Sequence, residues 1–373
     1  MKILITGGAG FIGSHTTDLL VESGYKVRIM DAFDRQIHQG KRPSYLNANC
    51  EVVEGDIRSA EAWKKNLAGM DVVIHLAART GIGQSMYEPS SYSDTNINGT
   101  AIFYDVLLKN PELRKGIKKI IVASSKTIYG EGAYRCKTHG TIYPEARGIE
   151  QLKKGEWELK CPICKEPMLP IGITEEKPPQ TPSVYGMTKF ATERLAMMFG
   201  EALNIPTIAF RYFSAYGPRQ SLSNPYTGVC SIFLSRLKNG NQPVIFEDGK
   251  QLRDYTFVKD VAKSNLLAIK NLDRSGVYNI GTGKPADLME ISNTLAEILG
   301  SDIRPKFSGE FRAGDTRHDY ADITKAKKEL GFRPEWGLKE GLKQLVEWGE
   351  TQEAIDRFSS AEAERKRMLQ QPK

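Results

Sequence analysis

The sequence predicts an α/β protein in which a doubly wound parallel sheet is followed by a smaller α/β lobe. Three observations carry this prediction. Apolar, β-branched segments alternate with amphipathic helical segments along the first 213 residues, a pattern typical of parallel strands covered on both faces. A cluster of glycines follows the first of these segments. After Tyr216 the strands become shorter and the loops richer in Gly, Pro and Asn, which indicates a separate lobe.

Six strands are predicted in the first half from their apolar, β-branched composition. They lie at 2–6, 26–31, 50–56, 70–78, 118–124 and 206–212. Helical periodicity predicts helices at 11–24, 94–108 and 183–203. In the second half we expect a helix near 227–239 and short strands around 243–258. The polar segment from about 350 is predicted to form a surface helix or tail.

Composition indicates an ordinary globular protein. The chain has 373 residues, of which 40% are hydrophobic and 26% charged, so a sizeable core is available. Its lysines and arginines, which give a formal charge of +7, are interspersed with acidic residues. This distribution argues against a nucleic-acid partner. The mild positive charge suits an anionic ligand equally well. No apolar run reaches the ~18 residues of a membrane span, and the first residues lack a signal-peptide pattern. We expect a cytoplasmic protein whose five cysteines form no disulfide framework.

The glycine cluster reads GxxGxxG, with Gly7, Gly10 and Gly13 between the first strand and the first helix. Glycine permits the tight turn and lets backbone N–H groups approach a pyrophosphate. The first two glycines are one residue further apart than in the GxGxxG pattern of dinucleotide-binding folds. The motif therefore predicts a dinucleotide site, with a ligand-free glycine turn as the alternative.

Two aspartates follow predicted strands beside this turn. Asp31 ends the second strand, where a carboxylate accepts hydrogen bonds from adenosine ribose hydroxyls and repels a 2′-phosphate. It favours NAD over NADP, although strand-end aspartates are also common caps. Asp56 follows the third strand and is a candidate partner for the adenine amino group, with an ordinary turn cap as the alternative.

Ser125, Tyr185 and Lys189 form the candidate reacting group. Tyr185 and Lys189 are four residues apart, so they share one face of the predicted helix. A phenol is too weak a base at neutral pH, but a neighbouring ammonium lowers its pKa. Ser125 leaves the fifth strand and could hold a substrate hydroxyl. The alternative is a surface Tyr–Lys pair without chemistry.

Nine motifs in fixed order carry a family resemblance: TGGAGFIGSH, HLAA, NINGT, SSKTIYG, YGMTK, RYFSAYGP, LRDYTFVKDV, YNIGTG and GDTRHDYADITKA. Over nearly all of residues 1–345 the chain resembles the extended short-chain dehydrogenase/reductase family, and more narrowly its sugar-nucleotide epimerases and dehydratases. The resemblance implies a Rossmann fold, an NAD cofactor, a nucleoside-diphosphate-sugar substrate and a homodimer formed through the helices near 94–108 and 183–203.

The resemblance also assigns site residues. It makes Ser125, Tyr185 and Lys189 the catalytic trio. The implied cofactor contacts are Gly7, Gly10, Phe11, Ile12, Gly13, Asp31, Asp56, Ile57, Leu76, Ala77, Ala78, Asn96, Tyr185 and Lys189. The implied substrate contacts are Ser85, Ser125, Lys126, Thr127, Ser214, Arg253 and Arg317, the two arginines holding the diphosphate through their forked donors. Ser214 replaces the asparagine common at its position, which leaves the substrate preference open.

The residues after Ser125 limit the type of reaction that the enzyme can catalyse. Dehydratases of the family carry an Asp-Glu pair there, and decarboxylases a glutamate, whereas this chain has Lys126 and Thr127. We therefore expect an isomerase that epimerises C4 of the sugar. The rhamnose type, which acts on dTDP-L-rhamnose, is the most similar, and the UDP-glucose or UDP-glucuronate type is the alternative. A catalytically idle NAD-binding protein that contacts partners through its cysteine-rich insertion is a third possibility.

Four metal-binding side chains lie between Ser125 and Tyr185. Cys136 and His139 form one pair and Cys161 and Cys164 another, each with two intervening residues. This spacing predicts a structural zinc site resembling a zinc ribbon, with a redox CxxC or free thiols as alternatives. Cys50 and Cys230 are expected to be core residues.

The expected division of the chain follows from these motifs. Residues 1–129 and 179–213 would form the NAD-binding domain, which the Cys/His insertion at 130–178 interrupts. Residues 214–349 would form mainly the substrate domain, and 350–373 the polar helix or tail.

Overall fold

The computed structural model describes residues 1–38, 40–312 and 314–369. Its strands, in chain order, are β1 Lys2–Thr6, β2 Lys26–Asp31, β3 Glu51–Glu54, β4 Val72–His75, β5 Lys119–Ser125, β6 Ala133–Cys136, β7 Gly140–Ile142, β8 Leu169–Ile171, β9 Thr207–Tyr212, β10 Ala215–Tyr216, β11 Val244–Ile245, β12 Leu252–Arg253, β13 Thr256–Phe257, β14 Gly276–Ile280, β15 Lys306–Phe307 and β16 His318–Asp319.

The α-helices are α1 Phe11–Glu22, α2 Arg35–His38, α3 Ala60–Leu67, α4 Ile82–Ser85, α5 Pro89–Ser93, α6 Gly99–Lys109, α7 Pro111–Arg114, α8 Ile149–Lys153, α9 Val184–Ala202, α10 Val229–Lys238, α11 Val258–Lys270, α12 Leu288–Leu299, α13 Thr324–Leu330, α14 Leu338–Glu350 and α15 Phe358–Leu369. A π-helical turn, Asp94–Asn98, precedes α6, and a 3₁₀ turn, Lys126–Tyr129, follows β5. Within the described ranges, no helix combines the length and apolar character needed to cross a membrane.

A seven-stranded sheet of order β3-β2-β1-β4-β5-β9-β14 forms the centre of the fold, and all its pairings are parallel. Along β1, Ile3 and Ile5 pack into one apolar cluster, while Leu4 packs into another. Both faces of the sheet are therefore covered, as parallel strands require. The predicted doubly wound parallel sheet is confirmed. Its order reverses at β1, which makes the crevice between β1 and β4 the expected ligand site.

The edge strand β14 was not predicted, and it lies in the range 214–349 expected to form mainly the substrate domain. Two of its five residues are polar or amphipathic. The Tyr278 hydroxyl donates to Glu329 at 2.8 Å, and the Asn279 amide donates to the carbonyl of Ile173 at 2.8 Å. Val277, Tyr278 and Ile280 favour a strand, but β14 is only five residues long and its partners come from distant segments.

The insertion contains an antiparallel sheet of order β7-β6-β8. Its small core consists of Tyr134, Cys136, Leu159, Cys161 and Met168. Five buried side chains form a small core for an independently stable unit. Modules with so small a core are commonly stabilised by a bound metal.

The second lobe packs helices α10, α12 and α14 around one apolar cluster. Short parallel pairs, β10–β13, β11–β15 and β12–β16, connect its loops. In the last of these pairs, Arg253 lies opposite Asp319. The lobe therefore places this arginine at a defined point facing the insertion.

A buried ion pair fixes α9 across the central sheet. Glu193 of α9 accepts hydrogen bonds from Arg211 of β9 at 2.6 and 3.0 Å, and from the hydroxyl of Ser124 of β5 at 2.6 Å. Arg211 also donates to the Tyr129 hydroxyl at 2.7 Å. Glu193 and Arg211 are 2% and 5% exposed, so both charges depend on these partners.

We expect Glu193→Ala to lower the free energy of unfolding by about 3–5 kcal/mol, because it leaves a buried guanidinium without its counter-charge. Urea denaturation followed by circular dichroism measures the change. The matched control is Glu201→Ala in the exposed last turn of the same helix, which should alter stability by less than about 0.5 kcal/mol. Equal losses in the two variants would contradict the assignment.

Candidate active site and metal centre

The glycine turn after β1 has no room for side chains. Gly7 has φ +67°, and a Cβ there would lie 2.8 Å from the backbone of Ala77. A Cβ on Gly13 would lie 2.2 Å from the carbonyl oxygen of Gly7. Gly10 is the N-cap of α1, and the first N–H groups of a helix have no partner within it. The turn thus brings free backbone donors to the end of β1, where an anion can bind them.

Asp31 braces this turn from the end of β2. Its carboxylate accepts hydrogen bonds from the N–H groups of Ala9 at 3.0 Å and Phe33 at 2.9 Å. The residue is buried, with 8% exposure. Each carboxylate oxygen can accept a second hydrogen bond, so the group can also hold a vicinal diol.

Asp56 and Ile57 lie after β3 as predicted from their position in the sequence. The Asp56 carboxylate accepts from the Arg58 guanidinium at 2.6 Å and from the Arg58 N–H at 2.8 Å. The hydrogen bond from Arg58 holds the pKa of Asp56 below its usual value. Ile57 is buried and would contact any side chain added at Gly99. The Asp56 carboxylate therefore already forms an ion pair with Arg58.

The remaining predicted cofactor contacts lie around the same crevice. Phe11 and Ile12 begin α1, and Leu76, Ala77 and Ala78 follow β4. Asn96 is buried, and its amide group accepts from the Arg79 N–H at 2.8 Å and donates to Arg79 O at 3.1 Å and the Thr188 hydroxyl at 2.9 Å. Its contacts therefore join the segment after β4 to α9.

Ser125 and Tyr185 meet where β5 ends and α9 begins. Ser183 caps α9 by accepting from the Gly186 N–H at 3.1 Å, which sets the orientation of the first turn. Ser125 lies near enough to the Tyr185 hydroxyl to lower the pKa of that phenol. The Ser125 hydroxyl also accepts from the Thr127 hydroxyl at 2.9 Å. The structure thus brings the predicted serine and tyrosine together.

Burial shifts the pKa values of Tyr185 and Lys189 in opposite directions. It raises the pKa of Tyr185 to about 12, against the lowering effect of the Ser125 hydrogen bond. It lowers the pKa of Lys189, one turn along α9 and 3% exposed, to about 8. Burial also lowers the pKa of the neighbouring His75 to about 3, with a contribution from the Lys189 charge. At neutral pH the site therefore holds an ammonium, a neutral imidazole and a phenol that needs further positive charge to ionise.

Ser85 forms a hydrogen bond with the first turn of α9. Its hydroxyl accepts from the Tyr185 N–H at 3.0 Å and donates to the Ile82 carbonyl at 2.7 Å. The residue is fully buried. Ser85 was predicted to contact substrate, and in the structure its hydroxyl is engaged with the backbone that positions Tyr185.

Lys126 and Arg253 share one carboxylate, that of Asp319. The Lys126 ammonium lies 2.6 Å from Asp319 Oδ2, and Arg253 Nε lies 3.3 Å from the same oxygen. Ser214, another predicted substrate contact, is half-buried, and its backbone carbonyl accepts from the Thr256 N–H at 3.0 Å. The sequence did not identify Asp319, because only the pairing of β12 with β16 sets it opposite Arg253.

Arg317 occupies a different environment from the one predicted. Its side chain is fully buried and binds three carboxylates: Glu158 at 2.9 Å, Asp248 at 2.6 Å and Glu247 at 3.3 Å. The insertion supplies Glu158, and the second lobe supplies Asp248 and Glu247. The donors that the family resemblance assigns to a diphosphate are thus engaged by carboxylates of the chain itself.

The four predicted metal ligands form one cluster. Their ligand atoms all lie within 4.8 Å of one another. Cys136 Sγ is 3.6 Å from both Cys164 Sγ and His139 Nδ1, and Cys161 Sγ is 3.5 Å from the same nitrogen. A hydrogen bond from the His139 N–H is the main cause that lowers the pKa of Cys136 to about 6.

These distances fit tetrahedral zinc. Zn–S bonds of about 2.3 Å and Zn–N bonds of about 2.0 Å place neighbouring ligand atoms about 3.5–3.8 Å apart. Three sulfurs and one imidazole nitrogen match a structural zinc donor set, and four protein ligands leave no position for a substrate.

Comparison with known proteins agrees with this architecture. The model of the NAD dependent epimerase/dehydratase family matches residues 3–146 and 165–281. It leaves unmatched the segment 147–164, which carries the second cysteine pair.

Three relatives illustrate the similarity. The dTDP-L-rhamnose 4-epimerase of Burkholderia thailandensis is 35% identical over 93% of this chain and 94% of its own. The UDP-glucose 4-epimerase of Thermotoga maritima, solved with UDP-glucose, has a TM-score of 0.76 and 33% identity, covering 94% of this chain and 99% of that one. The UDP-glucuronic acid 4-epimerase of Bacillus cereus, solved with UDP-glucuronic acid and NAD, has a TM-score of 0.75 and 27% identity with the same coverage. The chain belongs to the NAD dependent epimerase/dehydratase family.

Proposed function

We propose that the protein is an NAD-dependent isomerase that epimerises C4 of a nucleoside-diphosphate sugar through a 4-keto intermediate. The observation that carries the proposal is that Ser125, at the end of β5, lies near the Tyr185 hydroxyl, with Lys189 buried one turn along α9, in the same sheet fold that carries the glycine turn after β1. Relatives named as 4-epimerases, at 35% and 33% identity, support the same reaction.

The dinucleotide site suits NAD. The turn at Gly7–Gly13 presents backbone donors to a pyrophosphate, and Asp31 can accept hydrogen bonds from a ribose diol. Its negative charge disfavours the 2′-phosphate of NADP. When bound, NAD supplies the acceptor and donor of hydride.

The reaction then needs one proton acceptor. Tyr185 takes the proton of the C4 hydroxyl as the C4 hydride leaves, and Ser125 holds the same oxygen. Lys189 stabilises the phenolate through its positive charge. The 4-keto sugar then turns its opposite face towards the hydride, and Tyr185 returns the proton, so no net oxidation occurs.

The substrate assignment follows the relatives. We propose conversion of dTDP-L-rhamnose to dTDP-6-deoxy-L-talose, supported by the relative of that type at 35% identity. UDP-glucose or UDP-glucuronate is the second candidate, favoured by the solved structures that hold UDP-glucose and UDP-glucuronic acid. Lys126 and Thr127, which follow Ser125, provide no carboxylate for a dehydratase reaction.

Incubation of the purified protein with dTDP-L-rhamnose, UDP-glucose and UDP-glucuronate tests the proposal. NMR should reveal the C4 epimer of one of them without stoichiometric formation of NADH. If all three sugars stay unchanged, or if NADH accumulates with product, the proposed reaction is wrong.

Tyr185→Phe should lower kcat by about 10²–10⁴-fold, because it removes the group that exchanges the proton. The bound NAD, measured after denaturing the purified protein, should stay at the wild-type level. Tyr87→Phe, which removes a hydroxyl that contacts Tyr226, is the matched control and should retain most activity. A fully active Tyr185→Phe would refute the role as base.

Lys189→Met should shift the pH profile of kcat to higher pH. In the wild type the ammonium is present below its pKa of about 8 and stabilises the Tyr185 phenolate. Without it the pKa of Tyr185 rises, so activity at pH 7 should fall by about 10²-fold or more and recover as the pH increases. A uniform loss at every pH would indicate a structural defect.

We also propose that the Cys/His cluster holds one structural zinc ion. The supporting observation is that three pairs of ligand atoms lie 3.5–3.6 Å apart and all four lie within 4.8 Å of one another. Zinc-bound thiolates need a reducing compartment, which agrees with the cytoplasmic location expected from the sequence.

Metal analysis should find about one zinc per chain, and Cys161→Ser should lose it together with thermal stability of the insertion. Cys50→Ser changes a half-buried thiol outside the cluster and should keep the metal. A wild-type protein that is folded and free of zinc would remove this assignment.

We further propose a homodimer through α6 and α9. Leu108 of α6 and Met198 of α9 are large apolar side chains with 43% and 54% exposure, which supports an interface on this face.

A further inference from the structure

We infer that Glu158, in the metal-binding insertion, is a positioning residue for Arg253, the arginine that binds the substrate diphosphate. The inference rests on the proposed function and on the diphosphate contact that the family resemblance implies for Arg253. It assigns to the insertion a task in substrate binding, in addition to the structural role of its metal.

The backbone of residues 316–319 sets the orientation of Arg253. Its guanidinium donates to the carbonyl of Thr316 at 2.6 Å and to that of Arg317 at 3.0 Å. Its Nε lies 3.3 Å from Asp319, which also binds Lys126 next to Ser125. The direction of the Arg253 guanidinium therefore depends on where this segment lies.

The insertion holds that segment in place. Glu158 accepts from the Arg317 side chain at 2.9 Å and lies 3.1 Å from His318 Nε2. Glu131 accepts from the Arg317 N–H at 2.9 Å. A Cβ on Gly132 would lie 2.0 Å from the His318 carbonyl oxygen, so the two backbones are in direct contact.

A second ion pair ties the insertion to the same region. Arg147 binds Glu247 through two hydrogen bonds of 2.8 and 2.9 Å, and both side chains are 1% exposed. Arg147 also donates to the Asp315 carbonyl at 2.9 Å, and Glu247 lies 3.3 Å from Arg317. Arg147 thus anchors the insertion, while Glu158 acts on the residues that orient Arg253.

The metal cluster fixes the backbone that carries Glu158. This residue is three positions before Cys161, and Leu159 between them packs with Cys136 and Cys161 in the small core of the insertion. The family model leaves 147–164 unmatched. The contact from Glu158 to Arg317 is therefore added by a segment outside the common family pattern.

Two features separate positioning from simple stabilisation. The Glu158 side chain is 59% exposed, and without it the buried Arg317 guanidinium still binds Asp248 and Glu247, so little stability depends on Glu158. Its pKa is lowered to about 2, chiefly by the hydrogen bond with His318 and then by Arg317, so the carboxylate is charged across the working pH range. Removing that charge should change the orientation of the Arg253 guanidinium more than the stability of the fold.

Nucleoside diphosphates and monophosphates are the probes for this inference. Calorimetric titration of the NAD-loaded, zinc-loaded protein with dTDP, dTMP, UDP and UMP gives the preference for the second phosphate. Glu158→Gln should lower that preference by about 10-fold and raise KM for the nucleotide sugar, with kcat, bound NAD, zinc content and Tm near wild type. Glu158→Asp, which keeps the charge but shortens its reach, should give an intermediate value.

Glu156→Gln is the matched control, an exposed carboxylate two residues away whose nearest ion-pair partner is Lys160 at 3.9 Å. It should leave the preference unchanged. Arg253→Met is the reference and should abolish the preference. If Arg253→Met lowers it but Glu158→Gln does not, the inference is overturned while the proposed function stands. If Arg253→Met has no effect, the diphosphate role of Arg253 and the inference fail together.

Discussion

The carboxylate of Glu193 joins helix α9 to the two strands that it crosses, and the active site depends on this connection. The group binds Ser124, which precedes the catalytic candidate Ser125 on β5, and Arg211 on β9. A buried charge tolerates little movement, because each lost hydrogen bond exposes an unpaired ion to an apolar environment. The first turn of α9 is thereby held in register with the end of β5, and Tyr185 with it.

Buried charges also hold the other side of the site in place. Arg317 neutralises carboxylates from the second lobe and from the insertion, and Asp319 neutralises Lys126 and Arg253. Such networks specify geometry more than they add stability. They suit a surface that must present one guanidinium to an anionic ligand.

Local patterns allowed much of this to be predicted from sequence. The glycine turn, the six strands and the Tyr185–Lys189 spacing are encoded within short segments, and so is the Cys/His ligand set. The carboxylate partners of Arg317 could not be predicted because they are distant in the chain; Glu158 is 159 positions away. The edge strand β14 and the role of Asp319 were missed for the same reason, since both depend on pairing between remote strands.

The insertion separates Ser125 from Tyr185 by a long stretch of chain, and this has a consequence for the entropy of folding. A metal that joined Cys136 to Cys164 would roughly halve the loop that must close when α9 docks on β5, and halving a loop is worth only about 0.6 kcal/mol. Chain entropy would thus be a minor part of what the proposed ion contributes to the site. Its larger effect would be to make an insertion with a small core rigid enough to hold residues of the neighbouring lobe in place.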